Sequence, residues 1–335
     1  MSNSGFVLLD KIAGETSFKA LFPLKRVFST KRVGHAGTLD LRASGLIIAA
    51  TGRVTRLLPF VEAKDKCYSF RLHLGYQTDT LEWDGEVIAT DERGTTGDES
   101  LDSGLSECHS ERRTERFEVE ESSNPQTQIS LQDLEAVLPQ FIGDIEQVPP
   151  KYCAVKINGV RASDLMERGR DIELKARKIN ISSLKVTGVV SNDATEGCSG
   201  KAIATFDLIC ECSKGTYIRA LGRDIARALG TCGCVSHIRR HRIGNVTLDK
   251  AVRGENLTRE HLIPVDQILE FPVVRLDDSQ VAVIRQGNYL PWKTPIEGVD
   301  AEGNVFVANL QGEVLSFCHY EPGRIRPKIY LAEDE

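Results

Sequence analysis

Short apolar runs bounded by glycines punctuate this chain, and their spacing predicts most of its elements. Residues 5–11, Gly-Phe-Val-Leu-Leu-Asp-Lys, read as an opening strand that ends in a polar turn. Over 16–28 the apolar residues Phe18, Leu21, Leu24, Val27 and Phe28 recur at helical intervals, with Pro23 disturbing the run. The run Leu46-Ile47-Ile48-Ala49-Ala50, between Gly45 and Gly52, predicts a buried strand. A helix is expected over 54–63 and an alternating strand over 66–75. Ser130 is the expected N-cap of a helix over 131–138. Strand-like runs at 201–208 and 209–213 lead into a helix over 218–229, whose Leu221, Ile225, Ala228 and Leu229 form one apolar face. At Phe271-Pro272 the composition shifts. Short strand-like pieces at 281–284, 303–308, 313–317 and 328–331 then predict a small barrel. The expected division is therefore a large domain over 1–270 and a β-rich module over 271–335.

From 91 to 128 the periodicity vanishes and Gly, Ser, Thr, Glu and Asp dominate, a composition that buries too little apolar surface to offset its ordering entropy. A mobile acidic insertion is expected there. Its charge changes the picture of the whole chain. The net charge of −6 argues against a nucleic-acid partner, yet 91–121 alone holds eleven acids and four bases, leaving the remainder at net +1. That remainder carries basic runs, Lys25-Arg26, Lys31-Arg32, Arg239-Arg240-His241-Arg242 and Arg324-Ile325-Arg326-Pro327-Lys328, which would suit phosphate contacts if they converge. No apolar stretch approaches the roughly 20 residues of a membrane span, and residues 1–10 lack the features of a signal peptide, so a cytoplasmic protein is expected. The nine cysteines include Cys210 and Cys212, and Cys232 and Cys234, each pair separated by one residue. Paired zinc ligands normally stand further apart, and 208–212 alternates as a strand does, so reduced thiols and no metal are expected.

The candidate chemistry lies in 31–45, Lys-Arg-Val-Gly-His-Ala-Gly-Thr-Leu-Asp-Leu-Arg-Ala-Ser-Gly, where three glycines flank one imidazole, His35, and one carboxylate, Asp40. A polar loop tied to a buried strand is a common seat for reacting groups. The motif Gly34-His35-Ala36-Gly37-Thr38-Leu39-Asp40, followed by Ala43-Ser44-Gly45, resembles the catalytic motif of the TruB family of tRNA pseudouridine synthases. Leu41 departs from it where that family has proline. Lys11, preceded by Leu8-Leu9-Asp10, matches the family's opening motif, with Ile12 again in place of proline. Lys66-Cys67-Tyr68 and Gly75-Tyr76-Gln77-Thr78-Asp79-Thr80 resemble its second motif, and 147–159 its third, with Cys153 where serine is usual. Residues 212–221, with Lys214-Gly215-Thr216-Tyr217-Ile218-Arg219, resemble the fourth, and Val235-Ser236-His237-Ile238-Arg239-Arg240 follows as in the family. Arg285-Gln286-Gly287 and its surroundings are similar to a PUA-like RNA-binding domain.

The resemblance implies an α+β pseudouridine synthase fold with a mixed, largely antiparallel sheet, plus a small PUA-like module. It implies an isomerase that converts uridine 55 in the T loop of tRNA to pseudouridine, working as a monomer on the T arm. The rearrangement moves C1′ from N1 to C5 without net redox change, so no cofactor is needed. Asp40 would be the nucleophile, at the sugar or at C6 of the base. A guanidinium favours an ionised carboxylate, and Arg219 is placed for that role. Tyr68 would stack on the uracil and take part in C5 deprotonation. His35 would hold the opened RNA by stacking, since the base must leave its stack to react. Tyr217, Lys11, Arg56 and Ile238 are further substrate-binding candidates. A guide-RNA-dependent relative, and an RNA-binding protein that assists tRNA folding, stay open as alternatives.

Overall fold

Residues 4–91, 129–190 and 200–332 are described by the structure, a computed structural model. By compactness the chain divides into a unit made of Met1–Lys66 with Arg240–Glu335 and a unit made of Cys67–Arg239. The fold is α+β. In chain order the first unit contains β1 (Phe6–Lys11), α1 (Phe22–Val27), β2 (Val33–Ala36), β3 (Ser44–Thr51) and α2 (Leu58–Glu62). Next come β4 (Lys66–Leu74), β5 (Tyr76–Thr78), β6 (Val87–Thr90), α3 (Leu131–Val137), β7 (Gly143–Gln147), β8 (Lys156–Ile157), β9 (Val160–Arg161) and α4 (Ala162–Glu167). They are followed by β10 (Arg177–Val190), β11 (Ala204–Cys212), α5 (Ile218–Ala228) and β12 (Gly233–Ile243). The end of β12 returns the chain to the first unit, which closes with β13 (Val246–Thr247), β14 (Val273–Arg275), α6 (Asp278–Arg285), β15 (Leu290–Trp292), β16 (Asn304–Ala308), β17 (Val314–Glu321) and β18 (Gly323–Tyr330).

In the first unit β3 carries the expected buried run. It pairs antiparallel with β1, Leu8 opposite Ile48, and with β2, His35 opposite Ala49. Every residue from Gly45 to Thr51 is buried, so the strand is apolar on both faces and shows no alternation. Leu46, Ile48 and Ala50 share a core with Phe306, Phe317 and Ile329 of the C-terminal strands. Those strands order as β14-β16-β17-β18-β15, with β14 parallel to β16 and the other pairs antiparallel. Alternation along β16 sends Phe306 into the shared core and Val305 and Val307 into a second one, with Ile284 and Ile325. A sheet with two apolar faces thus joins the N-terminal strands on one side and covers itself with α6 on the other. In the second unit the sheet order is β12-β4-β11-β10-β7, and α5 buries Leu221, Ile225 and Ala226.

Several elements differ from expectation. Residues 281–284 lie in α6: Asp277 caps the helix by accepting from the Gln280 N–H, and Val281 and Ile284 form its inner face. Four residues cannot separate period 2 from period 3.6, and the capping box decides. Pro23 begins α1 instead of interrupting a helix, since a first-turn proline gives up no intrahelical bond. The helix expected over 54–63 is a 3₁₀ turn, Gly52–Leu57, followed by α2. The two runs at 201–213 are one strand, β11. Apart from Asp91, the expected insertion lies outside the described residues. The boundary expected at 270 is not where the two units divide.

Candidate active site

The loop that carries Asp40 is held by side chains that donate to its backbone. Lys11, at the end of β1 and 1% exposed, aims its ammonium at the carbonyls of Ile12 (3.1 Å), Leu41 (3.3 Å) and Ala43 (2.5 Å). The Ser17 hydroxyl accepts from the Leu39 N–H at 2.9 Å and donates to the Leu39 carbonyl at 3.0 Å. Arg240, also 1% exposed, spans from β12: its Nε donates to the Leu46 carbonyl (2.8 Å) and its Nη2 to the Gly37 carbonyl (3.0 Å). The Asp40 carbonyl itself accepts from the Ala43 N–H at 3.2 Å, closing the turn. Two glycines make the approach of Arg240 possible. Gly45 has φ +104°, and a Cβ there would stand 2.3 Å from the Arg240 carbonyl oxygen. Gly37 has φ +70°. Asp40, partly buried, therefore stands on a backbone fixed at residues 37, 39, 41 and 43.

His35 lies on β2 in the same unit. Burial, and then the Arg240 guanidinium, push its pKa below the ordinary histidine value, so the ring is neutral near pH 7. Its Nδ1 is buried with no hydrogen-bond partner among the described residues. A neutral ring suits stacking better than proton transfer. Arg56 is exposed in the turn Gly52–Leu57.

The other expected residues belong to the second unit. Arg219, 5% exposed in the first turn of α5, donates from Nη1 to the Thr80 carbonyl and from Nη2 to the Tyr152 carbonyl, both at 2.9 Å, which fixes the plane of the guanidinium. Tyr217 is the residue before that helix. The Gln147 side chain, 2% exposed, grips it twice: Oε1 accepts from the Tyr217 N–H at 2.9 Å and Nε2 donates to its carbonyl at 3.2 Å. Burial first, then neighbouring Cys153, raise the Tyr217 phenol above its usual pKa, so it stays protonated. Burial also raises the Cys153 thiol. Tyr68, 9% exposed, stands on β4, and Ile238, 6% exposed, on β12. The structure thus joins Lys11 to the Asp40 loop, and joins Arg219 and Tyr217 around the end of β7 and Tyr152.

Sequence reasoning missed Arg240, Gln147 and Arg223. In the sequence Arg240 reads as part of a basic run, although alternation in a strand puts it on the same face as buried Ile238. Arg223 follows Arg219 by one helical turn and donates from Nη2 to the Val148 carbonyl at 2.8 Å while pairing with Asp224. It lines a cavity of about 640 Å³ with Asp79, Tyr152, Met166 and Arg227, among others. Cys210 and Cys212 are buried on β11, as the alternation predicted.

The model of the TruB family pseudouridylate synthase N-terminal domain matches residues 25–115 and 103–218. A tRNA pseudouridine synthase B of Caulobacter sp. (strain K31) is 34% identical over 97% of this chain and 94% of its own length. The protein of that name from Borrelia garinii is 32% identical over 86% of each chain, and that from Bifidobacterium longum 39% over 75% of this chain and 66% of its own. Among solved structures, a chain of an H/ACA RNP bound to a substrate RNA containing 2′-deoxyuridine superposes with a TM-score of 0.63 at 18% identity, covering 99% of this chain and 86% of that one. A chain of a Cbf5-Nop10-Gar1 complex gives 0.59 at 19% identity, covering 98% and 84%.

Proposed function

The chain belongs to the TruB family of pseudouridylate synthases, and on that premise we propose that it isomerises uridine 55 in the T loop of tRNA to pseudouridine. The observation that carries the reading is the Asp40 loop, a partly buried carboxylate on a backbone clamped by Lys11, Ser17 and Arg240. Chemistry that depends on one oxygen reaching one carbon needs such a fixed carboxylate. Asp40 attacks, the bond from C1′ to N1 breaks, the uracil turns, and C1′ joins C5. The C5 proton then leaves to solvent, N1 takes up a proton in its place and Asp40 is released, so the product is an isomer, nothing is oxidised or reduced and no cofactor takes part. Arg219, its guanidinium held by the Thr80 and Tyr152 carbonyls, contributes positive charge to the reaction, and Tyr68 stacks on the uracil. Neutral His35 stacks in the opened RNA. Lys11 acts as a positioning residue, its ammonium being taken up by loop carbonyls. Tyr217, Ile238 and Arg56 complete the set that contacts RNA. The protein acts as a monomer in the cytoplasm; among the described residues no helix is long and apolar enough to cross a membrane. Residues 271–335 are a PUA-like module that adds RNA affinity, a reading supported by their five-stranded sheet and its own apolar cluster.

The test is tritium release from tRNA carrying 5-tritiated uridine. Wild type should release the label; Asp40→Asn should not, while binding tRNA within a few-fold of wild type. Equal loss of binding would make Asp40 structural, and no release by wild type would overturn the reaction.

A further inference from the structure

Beside the Asp40 loop the first unit exposes large apolar side chains that the mechanism above does not use. Phe18 is 59% exposed and Phe22 50%, and their rings meet edge to face with centroids 5.5 Å apart. The Lys25 ammonium stands 5.0 Å from one ring centroid and 5.2 Å from the other, so the pair is held in place and carries a cation. Ile12 and Leu41 are also half-exposed, at 50% and 48%. Ile12, Leu41 and Phe18 belong to backbone tied to the loop. The Lys11 ammonium bridges the carbonyls of Ile12 and Leu41, the Gly14 N–H donates to the Leu41 carbonyl at 2.8 Å, and Ser17, one residue before Phe18, holds Leu39. Leu39 and Leu41 flank Asp40. The Phe18 ring therefore sits one residue beyond a hydrogen bond to the neighbour of the reacting carboxylate, and the Phe22 ring packs edge to face against it.

Charge selects the occupant. Between Ile12 and Arg32 there are five bases, Lys19, Lys25, Arg26, Lys31 and Arg32, and one acid, Glu15, in a chain of net −6. Exposed aromatic rings interleaved with lysine and arginine match single-stranded nucleic acid, whose bases stack on rings while its phosphates meet the cations. An apolar protein partner would gain nothing from that surplus of positive charge.

We propose that Phe18 and Phe22, with Lys25, form a stacking platform for an unpaired nucleobase of the substrate RNA next to the reacting uridine. The platform makes this segment a specificity determinant. The proposal rests on the RNA-modifying reading given above. Stacking needs a flat ring, so leucine, which keeps the apolar area, should not replace phenylalanine, and tryptophan should.

The experiment compares wild type, the double variant Phe18→Leu/Phe22→Leu, and Phe18→Trp on T-arm hairpins in which loop nucleotides other than the target are made abasic one at a time. Binding is read by fluorescence anisotropy and turnover by tritium release. On the intact hairpin the leucine pair should bind about tenfold more weakly, with kcat unchanged, as the loss of one base–aromatic stack implies. Phe18→Trp should bind as wild type does. On one abasic hairpin, wild type and the leucine pair should become equal. Equal affinity of the leucine pair and wild type on the intact hairpin would overturn the platform, and so would the same loss on every abasic hairpin. A change of oligomeric state in the leucine pair would overturn it as well, by showing that a second copy covers the patch. Because binding is read separately, these outcomes hold even if wild type releases no tritium, a result that would sink the reaction and leave the platform decided by anisotropy.

Discussion

The loop over 37–45 and the sheet formed by β14 to β18 both fix backbone, and they do it by opposite means. The sheet is held by apolar side chains on two faces, with Phe306 and Phe317 on one and Val305, Val307 and Ile325 on the other. The loop is held by long cationic side chains whose charges are buried against carbonyl oxygens. Apolar packing is non-directional and spreads its contribution over many neighbours. A buried guanidinium is directional and concentrates it in two or three bonds. The loop can thus place one carboxylate accurately, while the sheet supplies stability without fixing any single atom.

The contrast can be broken from the apolar side first. Phe306 is fully buried and touches Phe271 and Phe317 with ring centroids 5.5 and 5.8 Å apart. Phe306→Ala should cost about 3–5 kcal/mol of stability, measured by urea unfolding, with kcat unchanged in the folded protein. Arg240→Leu tests the other side. It removes the donor from the buried Leu46 and part-buried Gly37 carbonyls and should cost about 3 kcal/mol, with a fall in kcat that exceeds any change in KM because the Asp40 loop is released. Arg240→Lys, a single point donor, should recover only part of the rate. A variant with wild-type kcat would show that the clamp at Gly37 does not govern Asp40.

Buried polar clusters also make stability depend on pH, in a way that apolar packing by itself does not. Burial, then Arg71 and His237, hold His73 down to about 4 against the opposing Asp207. Its Nε2 lies 2.7 Å from the Ser236 hydroxyl, which lies 2.7 Å from His237 Nδ1. With the folded pKa below the unfolded value of about 6.5, the unfolded chain takes up the proton first as pH falls. This stability is therefore complete above about pH 6.5 and is lost between there and about pH 4, on the order of 3 kcal/mol. His73→Gln should flatten the unfolding free energy over that window by one proton relative to wild type. Parallel curves would mean that His73 is not the source.

What the sequence made legible follows the same division. The apolar runs announced β1, β3, β4 and α5, because burial writes itself into periodicity. The resemblance to the family's motifs singled out Asp40, Tyr68 and Arg219 as candidates. The strand β10, with Ser182, Ser183, Lys185 and Thr187 among its residues, was not anticipated: its burial pattern is mixed, and pairing with β7 and β11 decides it. Arg240 reads as one more surface base, and only its alternation with buried Ile238 on β12 separates a cation that donates to carbonyls from one that faces water. The same blindness hid the roles of Lys11 and Gln147 as clamps.

Gln147 gives the smallest and sharpest version of the comparison. It is the last residue of β7, and one neutral amide closes two bonds on the backbone of Tyr217, the residue that precedes α5 and Arg219. A neutral pair of bonds is worth less than a buried charge, so Gln147→Ala should cost about 1–2 kcal/mol. Its effect on turnover should nevertheless be larger than that of Phe306→Ala, because the start of α5 sets where the Arg219 guanidinium lies. Gln147→Glu sharpens the point. A carboxylate can accept from the Tyr217 N–H but cannot donate to its carbonyl, so half the clamp survives, and kcat should fall between those of wild type and alanine. If glutamate and alanine behave alike, the donated bond is the one that positions the helix. If both equal wild type, Arg219 is held well enough by Thr80 and Tyr152 alone, and directional clamping matters at the Asp40 loop but not here.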